Sequence, residues 1–307
     1  MTDMLAVAGL ILASAVRLSV PLAFAALGEY VAERAGTLNI SVEGMMLGGA
    51  FTAVAGANLT GSPALGLLAG VAAGLAVALA QALFSHALTV NPYVVGLTLN
   101  VFVLGLTSFL AESVRDEPRQ VDLVPVPWLA DLPVLGPGLF AHRWPAYLLV
   151  VLVPLAWWLV RRTRWGLEAR AVGENPQAAD VAGVPVNRRR RQALLVCGAL
   201  SGLGGAYLAV GEVGLFNPNM TAGRGYLVIA AVIFGGWTLR GALAGCLLFG
   251  AADALRLALP ALGFDLTPQL LIASPYLLAL LALTLFARGR GRRGPAALGV
   301  PFTRGIT

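Results

Sequence analysis

Nine polar side chains lie inside or at the edges of long apolar runs: Asn39, Ser41, Glu43, Asn91, Asn100, Glu212, Asn217, Asn219 and Asp253. Polar groups at membrane depth are costly, so each is a functional candidate. Their amides both donate and accept hydrogen bonds, which suits reversible binding of uncharged polar groups. Tyr93, Phe216, Tyr226 and Trp237 add flat faces for stacking. Several of these residues have a competing structural reading. Asp253 and Arg256, three apart, can pair on one helix face. Asn39 and Glu43, four apart, can hydrogen-bond the ends of a broken helix. Glu33 with Arg34 suits a helix-ending turn, and the aromatics suit a membrane interface.

Covalent chemistry finds little support. All 21 basic residues are arginine. A Gly-x-x-x-x-Gly-Lys-[Ser/Thr] phosphate loop is therefore excluded, and so is a Schiff-base lysine. Any ATP used must be bound by another chain. Cys197 and Cys246 lie far apart in apolar runs and read as small buried hydrophobes. His86 and His142 are isolated, so no metal site is expected. No metalloprotease or serine-hydrolase context is present, which argues against a membrane enzyme.

The elements that must position these residues are membrane helices. Of 307 residues, 58% are apolar and only 12% charged, and mean hydropathy is +0.80. A soluble domain carries about 25% charged residues. The composition reads as an all-α polytopic membrane protein and excludes a secreted domain or a nucleic-acid binder. Nine segments are long or apolar enough to be candidate crossings: 4–27, 41–59, 64–88, 92–111, 145–160, 193–211, 225–238, 242–259 and 270–287. The expected count is about nine, within eight to ten, in a single transmembrane domain spanning 1–307. Arg17 marks a place where the first segment can break. Gly66, Gly70 and Gly74, at four-residue spacing, read as a packing stripe.

Charge sets the sidedness. Residues 112–144 carry five acids and three arginines, and residues 161–191 carry eight arginines and three acids. The stretch after 287 adds five arginines and no acid. The positive-inside rule places 161–191 and the basic tail 288–307 in the cytoplasm, and 112–144 outside. Four crossings separate the two inner stretches, which is self-consistent, and counting back puts the N-terminus outside. The four arginines at 188–191 read as an anchor on anionic headgroups. Two segments stand out as short and glycine-broken, 39–49 and 225–238. They run in opposite directions in this topology, which anticipates an inverted repeat around a central site.

The inner stretch 161–191 is the most informative. Trp165–Val172 suits a short helix ended by Gly173. Asn175 then offers an N-cap with Pro176 at the first helical position, and Gly183 can supply a left-handed stop. The intervening Ala178, Ala179, Asp180, Val181 and Ala182 present a small, mostly apolar surface. Such a helix suits a plug fitted into a partner's groove, or else lies back on the bundle.

At this point the residues carry a family resemblance. Leu27-Gly28-Glu29 and then Glu33 to Met46 (ERAGTLNISVEGMM) resemble permease subunits of bacterial nucleoside ABC importers. This group belongs to a broader family shared with ribose and branched-chain amino-acid permeases. Asn91 to Thr107, Arg170 to Gly183 and Gly225 to Trp237 resemble further family blocks. Pro92-Tyr93 after Asn91 departs from the usual pattern. The resemblance implies half of a translocation pathway in the inner (cytoplasmic) membrane, with no cofactor of its own. It implies an ABC ATPase, a second homologous permease subunit and a substrate-binding lipoprotein as partners, besides membrane lipids, and no nucleic acid. Substrate-pathway candidates are Asn39, Ser41, Glu43, Asn91, Asn100, Asn217, Asn219 and Tyr226. Gly173, Asn175, Pro176, Ala178, Ala179, Asp180 and Gly183 would form the coupling element that enters the ATPase. The alternatives are the same architecture moving a sugar or branched-chain amino acid, and an ion-coupled secondary transporter. The last would need an intramembrane carboxylate pair, which the sequence does not make evident.

Overall fold

A computed structural model describes residues 2–112, 114, 117–130, 135–261, 267–286 and 294–303. The chain is mostly helical. Among the described residues six helices are by length and composition apolar enough to cross a membrane, against the nine candidate segments of the sequence: Gly9–Arg34, Pro63–Ala87, Pro92–Ala111, Trp144–Arg162, Val186–Val213 and Leu239–Pro260. The difference lies in three segments. Segment 41–59 is a full helix with a polar start, α2 (Val42–Thr60). Segment 225–238 contains only an 11-residue helix, roughly 16 Å at about 1.5 Å per residue. Segment 270–287 falls within a helix spanning Pro268–Phe286, with residue 287 outside the described residues.

The first helix, α1 (Thr2–Arg34), is 33 residues long and unbroken at Arg17. Arg17 is instead paired with Glu212 at 3.2 Å. Several later starts are written locally as a polar cap followed by proline. Ser62 caps α3 (Pro63–Ala82) and Asn91 caps α4 (Pro92–Ala111). Stretch 112–144 is not purely irregular or helical. It holds β1 (Leu123–Pro125) antiparallel to β2 (Ala141–Arg143), with a short helix α5 (Leu135–Leu139) between them. Then follow α6 (Leu148–Arg162), α7 (Arg164–Glu174), α8 (Pro176–Val181) and α9 (Val186–Ala206), which widens into a π-helical turn over Tyr207–Val213. The last three are α10 (Arg224–Phe234), α11 (Leu239–Ala261) and α12 (Pro268–Phe286).

The core is built on α1 and α9. Helix α1 packs on α9 and α11, and α9 packs on α1, α2 and α3. Helix α2 is held by α3, α4 and α9, whereas α10 is held by α11, α12 and α1. The glycine stripe of α3 lets it approach α9 backbone to backbone. A Cβ at Gly74 would strike the carbonyl oxygen of Gly198, and one at Gly202 that of Gly70. Gly74→Leu is expected to separate the two helices, since overpacking costs about 1–3 kcal/mol or more. The measurement is the melting temperature in detergent, where an unchanged value would contradict the packing.

The bundle has two distinct ends. At one, Arg119 donates its backbone N–H to Gly214 (3.1 Å), and its side chain reaches the Gly61 carbonyl (3.4 Å). Arg143 holds the Val121 carbonyl and Gln120 there. At the other end gather Gly36, His86, Gly173, Arg190 and residues 294–303.

Candidate functional site

The loops that precede α2 and α10 start at opposite ends of the bundle, at Gly36 and Gly214, and carry their last residues into its interior. Within 35–41, Asn39 and Ser41 are fully buried, and Thr221 of the second loop is too. Irregular backbone at membrane depth is tolerated where protein buries it or where it lines a cavity. Here the N-termini of α2 and α10 meet, and the link between them is Glu43, in the first turn of α2. Its Oε1 accepts from the Thr221 hydroxyl (2.5 Å) and the Gly223 N–H (2.8 Å), and its Oε2 from the Gly225 N–H (2.6 Å). One carboxylate thus satisfies the orphan donors of the facing helix and neutralises two converging positive helix ends. The approach is so close that a Cβ on Gly225 would lie 2.5 Å from the Glu43 nitrogen.

Asn100 of α4 completes the junction. Its Oδ1 accepts from the Gly44 N–H (2.8 Å), and its amide donates to the Ile40 carbonyl (2.9 Å) and the Tyr226 hydroxyl (3.0 Å). Asn39 folds the loop on itself, accepting from the Ser41 N–H (3.1 Å) and hydroxyl (2.7 Å). It donates in turn to Glu29 Oε2 (3.2 Å). Asn39, Ser41, Glu43, Asn100 and Tyr226 therefore form one connected region. Asn39 and Glu43 each hydrogen-bond a helix start, the structural reading of this pair: Asn39 serves that of its own α2 and Glu43 that of α10. Tyr226, 42% exposed, is the member that reaches the surface.

The other candidates lie elsewhere. Asn91 caps α4, accepting from the Tyr93 N–H (2.9 Å), at the end of the bundle that holds Arg190. Asn217 and Asn219 are exposed in the loop entering α10, where their carbonyls accept from Met220 and Ala222. Asp253 is spoken for by ion pairs to Arg256 (3.3 Å) and Arg224 (3.4 Å), the second of which ties α11 to the start of α10. A cavity of about 310 Å³ between α2, α3 and α4 is walled by Phe51, Val77, Phe102 and Leu106 and offers almost no polar contact.

Sequence reasoning missed Glu29, Thr221 and the two glycine N–H groups. Glu29 also accepts from the Cys197 thiol (3.2 Å). Glu33, expected at a turn, is fully buried on α1 one helical turn from Glu29. A buried carboxylate pair is thus present on α1. The signal was available: two acids four apart within an otherwise apolar run. Both are closed off from solvent in this conformation, with no exposed surface.

The inner element has its own geometry. Helix α7 does not stop at Gly173 but runs to Glu174, and Asn175 in extended backbone breaks it. Gly173 serves close packing instead: a Cβ there would meet the Arg34 carbonyl. The Asn175 side chain accepts from the Ala178 N–H (2.9 Å) and Pro176 opens α8. Gly183, at φ 84°, ends the segment, with its N–H on the Asp180 carbonyl and that of Val184 on Ala179. The small residues divide by face. Ala179 is buried against Val172, Val186 and Phe302, whereas Gln177, Ala178 and Val181 point outward, Val181 being 90% exposed. Of the four arginines, Arg188 and Arg191 are exposed. Arg189 pairs with Glu168 at 2.5 Å. Arg190 is only 1% exposed and bonds the Val300 and Ala297 carbonyls. The run is therefore not a uniform headgroup anchor.

Comparison with known proteins identifies the family of the chain. The profile of the family described as "Branched-chain amino acid transport system / permease component" matches residues 11–287. A guanosine ABC transporter permease protein, NupQ of Bacillus subtilis, is 34% identical over 99% of both chains. A nucleoside ABC transporter permease protein, NupC of Lactococcus lactis, is 36% identical over 90% of this chain and 92% of its own. A putative glucose ABC transporter permease protein, TsgC13 of Haloferax volcanii, is 37% identical over 85% of this chain and 81% of its own. The chain belongs to this permease-component family: it is a multi-pass membrane subunit of an ABC transporter, and ATP hydrolysis belongs to a separate subunit.

Proposed function

We propose that the chain is one permease half of an ATP-driven importer of nucleosides in the cytoplasmic membrane. The observation that carries this reading is end-to-end similarity to a guanosine permease, covering 99% of each chain. The junction chemistry agrees. Glu43 has its charge met by internal donors and Arg224 is paired with Asp253, while the exposed groups of the junction and of the loop entering α10, the Tyr226 hydroxyl and the amides of Asn217 and Asn219, are uncharged. They suit a neutral solute with hydroxyls and a flat base. A sugar is the second reading, favoured by the 37% identity to a putative glucose permease. The test is uptake by the assembled transporter against a panel of guanosine, other nucleosides, glucose, ribose and leucine. Saturable guanosine uptake that only nucleosides compete supports the proposal, and uptake competed by sugars alone contradicts it.

The end bearing α7, α8, Arg190 and residues 294–303 is read as cytoplasmic, and the end with β1 and β2 as extracytoplasmic. Support comes from the arginine excess in 161–191 and 288–307 against the acidic 112–144. On this reading α1, α2, α3, α4, α6, α9, the loop with α10, α11 and α12 make nine passes, beginning outside. The units α1–α4 and α9–α12 then form an inverted repeat. Its support is the parallel packing of α2 on α3, α4 and α9 and of α10 on α11, α12 and α1. A cysteine replacing the exposed Arg188 is expected to react with an impermeant maleimide only from the cytoplasmic side. Labelling of intact cells from outside would invert the topology.

The partners are an ABC ATPase, a second permease of the same kind and a substrate-binding lipoprotein, in a bed of membrane lipid. No resident cofactor is proposed, since ATP stays on the ATPase. Asn175–Gly183 is the coupling element, with Gln177, Ala178 and Val181 as its outer face and Pro176 and Ala179 as its base. ATP binding would favour one closed state of the ATPases. The docked α8 moves with its groove, and the bundle rocks between outward-open and inward-open forms about the α2–α10 junction.

A further inference from the structure

Residues 294–303 lie beyond the part of the chain that matches the family profile, which ends at 287. They nevertheless form an ordered strap that touches three separate functional parts. At its start, Gly294 packs so closely on the Trp237 ring, just past α10, that a Cβ would lie 2.7 Å from it. In its middle, the Ala297 N–H bonds the Gly173 carbonyl (2.9 Å) and the Gly299 N–H bonds the Gly36 carbonyl (3.1 Å). Gly299, at φ 73°, turns the strap against Leu38 of the loop that carries Asn39. At its end, Phe302 is buried with Val172, Ala179 and Val186, forming the seat of α8. Asn187 donates to the Phe302 carbonyl (3.3 Å). The buried Arg190 holds the strap from beneath through Val300 (2.6 Å) and Ala297 (3.3 Å).

We infer that this strap is a mechanical link of the transporter: it joins the seat of α8 to the loop 35–41 and to the end of α10, so that movement of α8 repositions both inner half-helix elements. Phe302 and Arg190 are its positioning residues. The physical argument is geometric. Helix α8 is only six residues long, and its buried contacts are Pro176 and Ala179. Without Phe302 its base is half empty, and a push on α8 is absorbed locally. With Phe302 in place the push passes along the strap's backbone to Gly36 and Trp237. An exposed tail serving only as a positive-inside signal would need no buried arginine and no seat for an aromatic ring.

The inference rests on the coupling assignment above. Phe302→Ala, Phe302→Leu and Ala297→Pro are introduced into the full transporter in proteoliposomes, and guanosine taken up is measured per ATP hydrolysed. Ala297→Pro removes the N–H that bonds Gly173 in the middle of the strap, away from the Phe302 seat. Assembled Phe302→Ala and Ala297→Pro complexes are expected to hydrolyse ATP but import about five- to tenfold less per ATP, in the range of ordinary site-to-site coupling. Phe302→Leu should recover most of the loss. An unchanged ratio in either assembled variant overturns the link. Failure of all three to assemble overturns it too, making the strap a staple of the fold. A wild-type complex that moves no guanosine with ATP would instead undo the functional reading.

Discussion

Replacing Glu43 by alanine is expected to remove uptake to background and to lower the melting temperature sharply. Three donors, from Thr221, Gly223 and Gly225, end on this carboxylate. Each buried donor left without a partner costs about 1–3 kcal/mol. The sum approaches the whole net stability of an ordinary domain, about 5–15 kcal/mol. The loss is larger than the hydrogen bonds alone, because the N-termini of α2 and α10 would then face each other with nothing negative between them. Glu43→Gln should be intermediate. It keeps one acceptor oxygen but sets an amide N–H₂ against backbone donors. Melting curves and guanosine uptake of both variants check this. Wild-type uptake by Glu43→Ala would show that the junction is not where the pathway is organised.

The second large effect is at α8. Ala178→Glu is expected to abolish ATPase recruitment and uptake while the permease folds and melts as the wild type does, because Ala178 is exposed and touches no core. Ala179→Glu should fail differently. Its Cβ is packed against Val172, Val186 and Phe302, and a carboxylate there is buried without a partner, a costly state. That variant is expected to lose thermal stability. Co-purification with the ATPase, read beside the melting temperature, separates the two. Equal behaviour of the two variants would contradict the division of faces on α8.

Local grammar was legible in the sequence. The polar-residue–proline pairs Ser62-Pro63, Asn91-Pro92 and Asn175-Pro176 each open a helix where the chain says they should. Gly183 ends α8 because only a residue free of Cβ takes φ near +84° without strain. The glycine stripe of α3 does bring backbones together. Elements decided by distant partners were not legible. Glu43 looks like a residue of its own helix, yet its acceptors are spent on donors about 180 positions later in the chain. Gly48-Gly49 reads as a helix break, but α2 continues through it because Gly49 sits against the Gly202 backbone of α9. Arg190 sits in a run of four arginines that looks uniformly solvated, and only the returning strap shows which one is buried. Asn91, attractive as a polar group in a family-like block, has its acceptor occupied by its own helix start. Charge counting anticipated which stretches gather at one end of the bundle, but not the hairpin of β1 and β2 at the other.

The most direct test of the account is vectorial transport with and without the borrowed motor. The chain and its sister permease are placed in proteoliposomes, with the binding protein outside and radiolabelled guanosine supplied, in the presence or absence of the ATPase and ATP inside. The account predicts accumulation above the external concentration only when ATPase and ATP are both present, and simple absence of uphill uptake otherwise. Uphill accumulation by the permease alone, driven by a proton or sodium gradient, would contradict it.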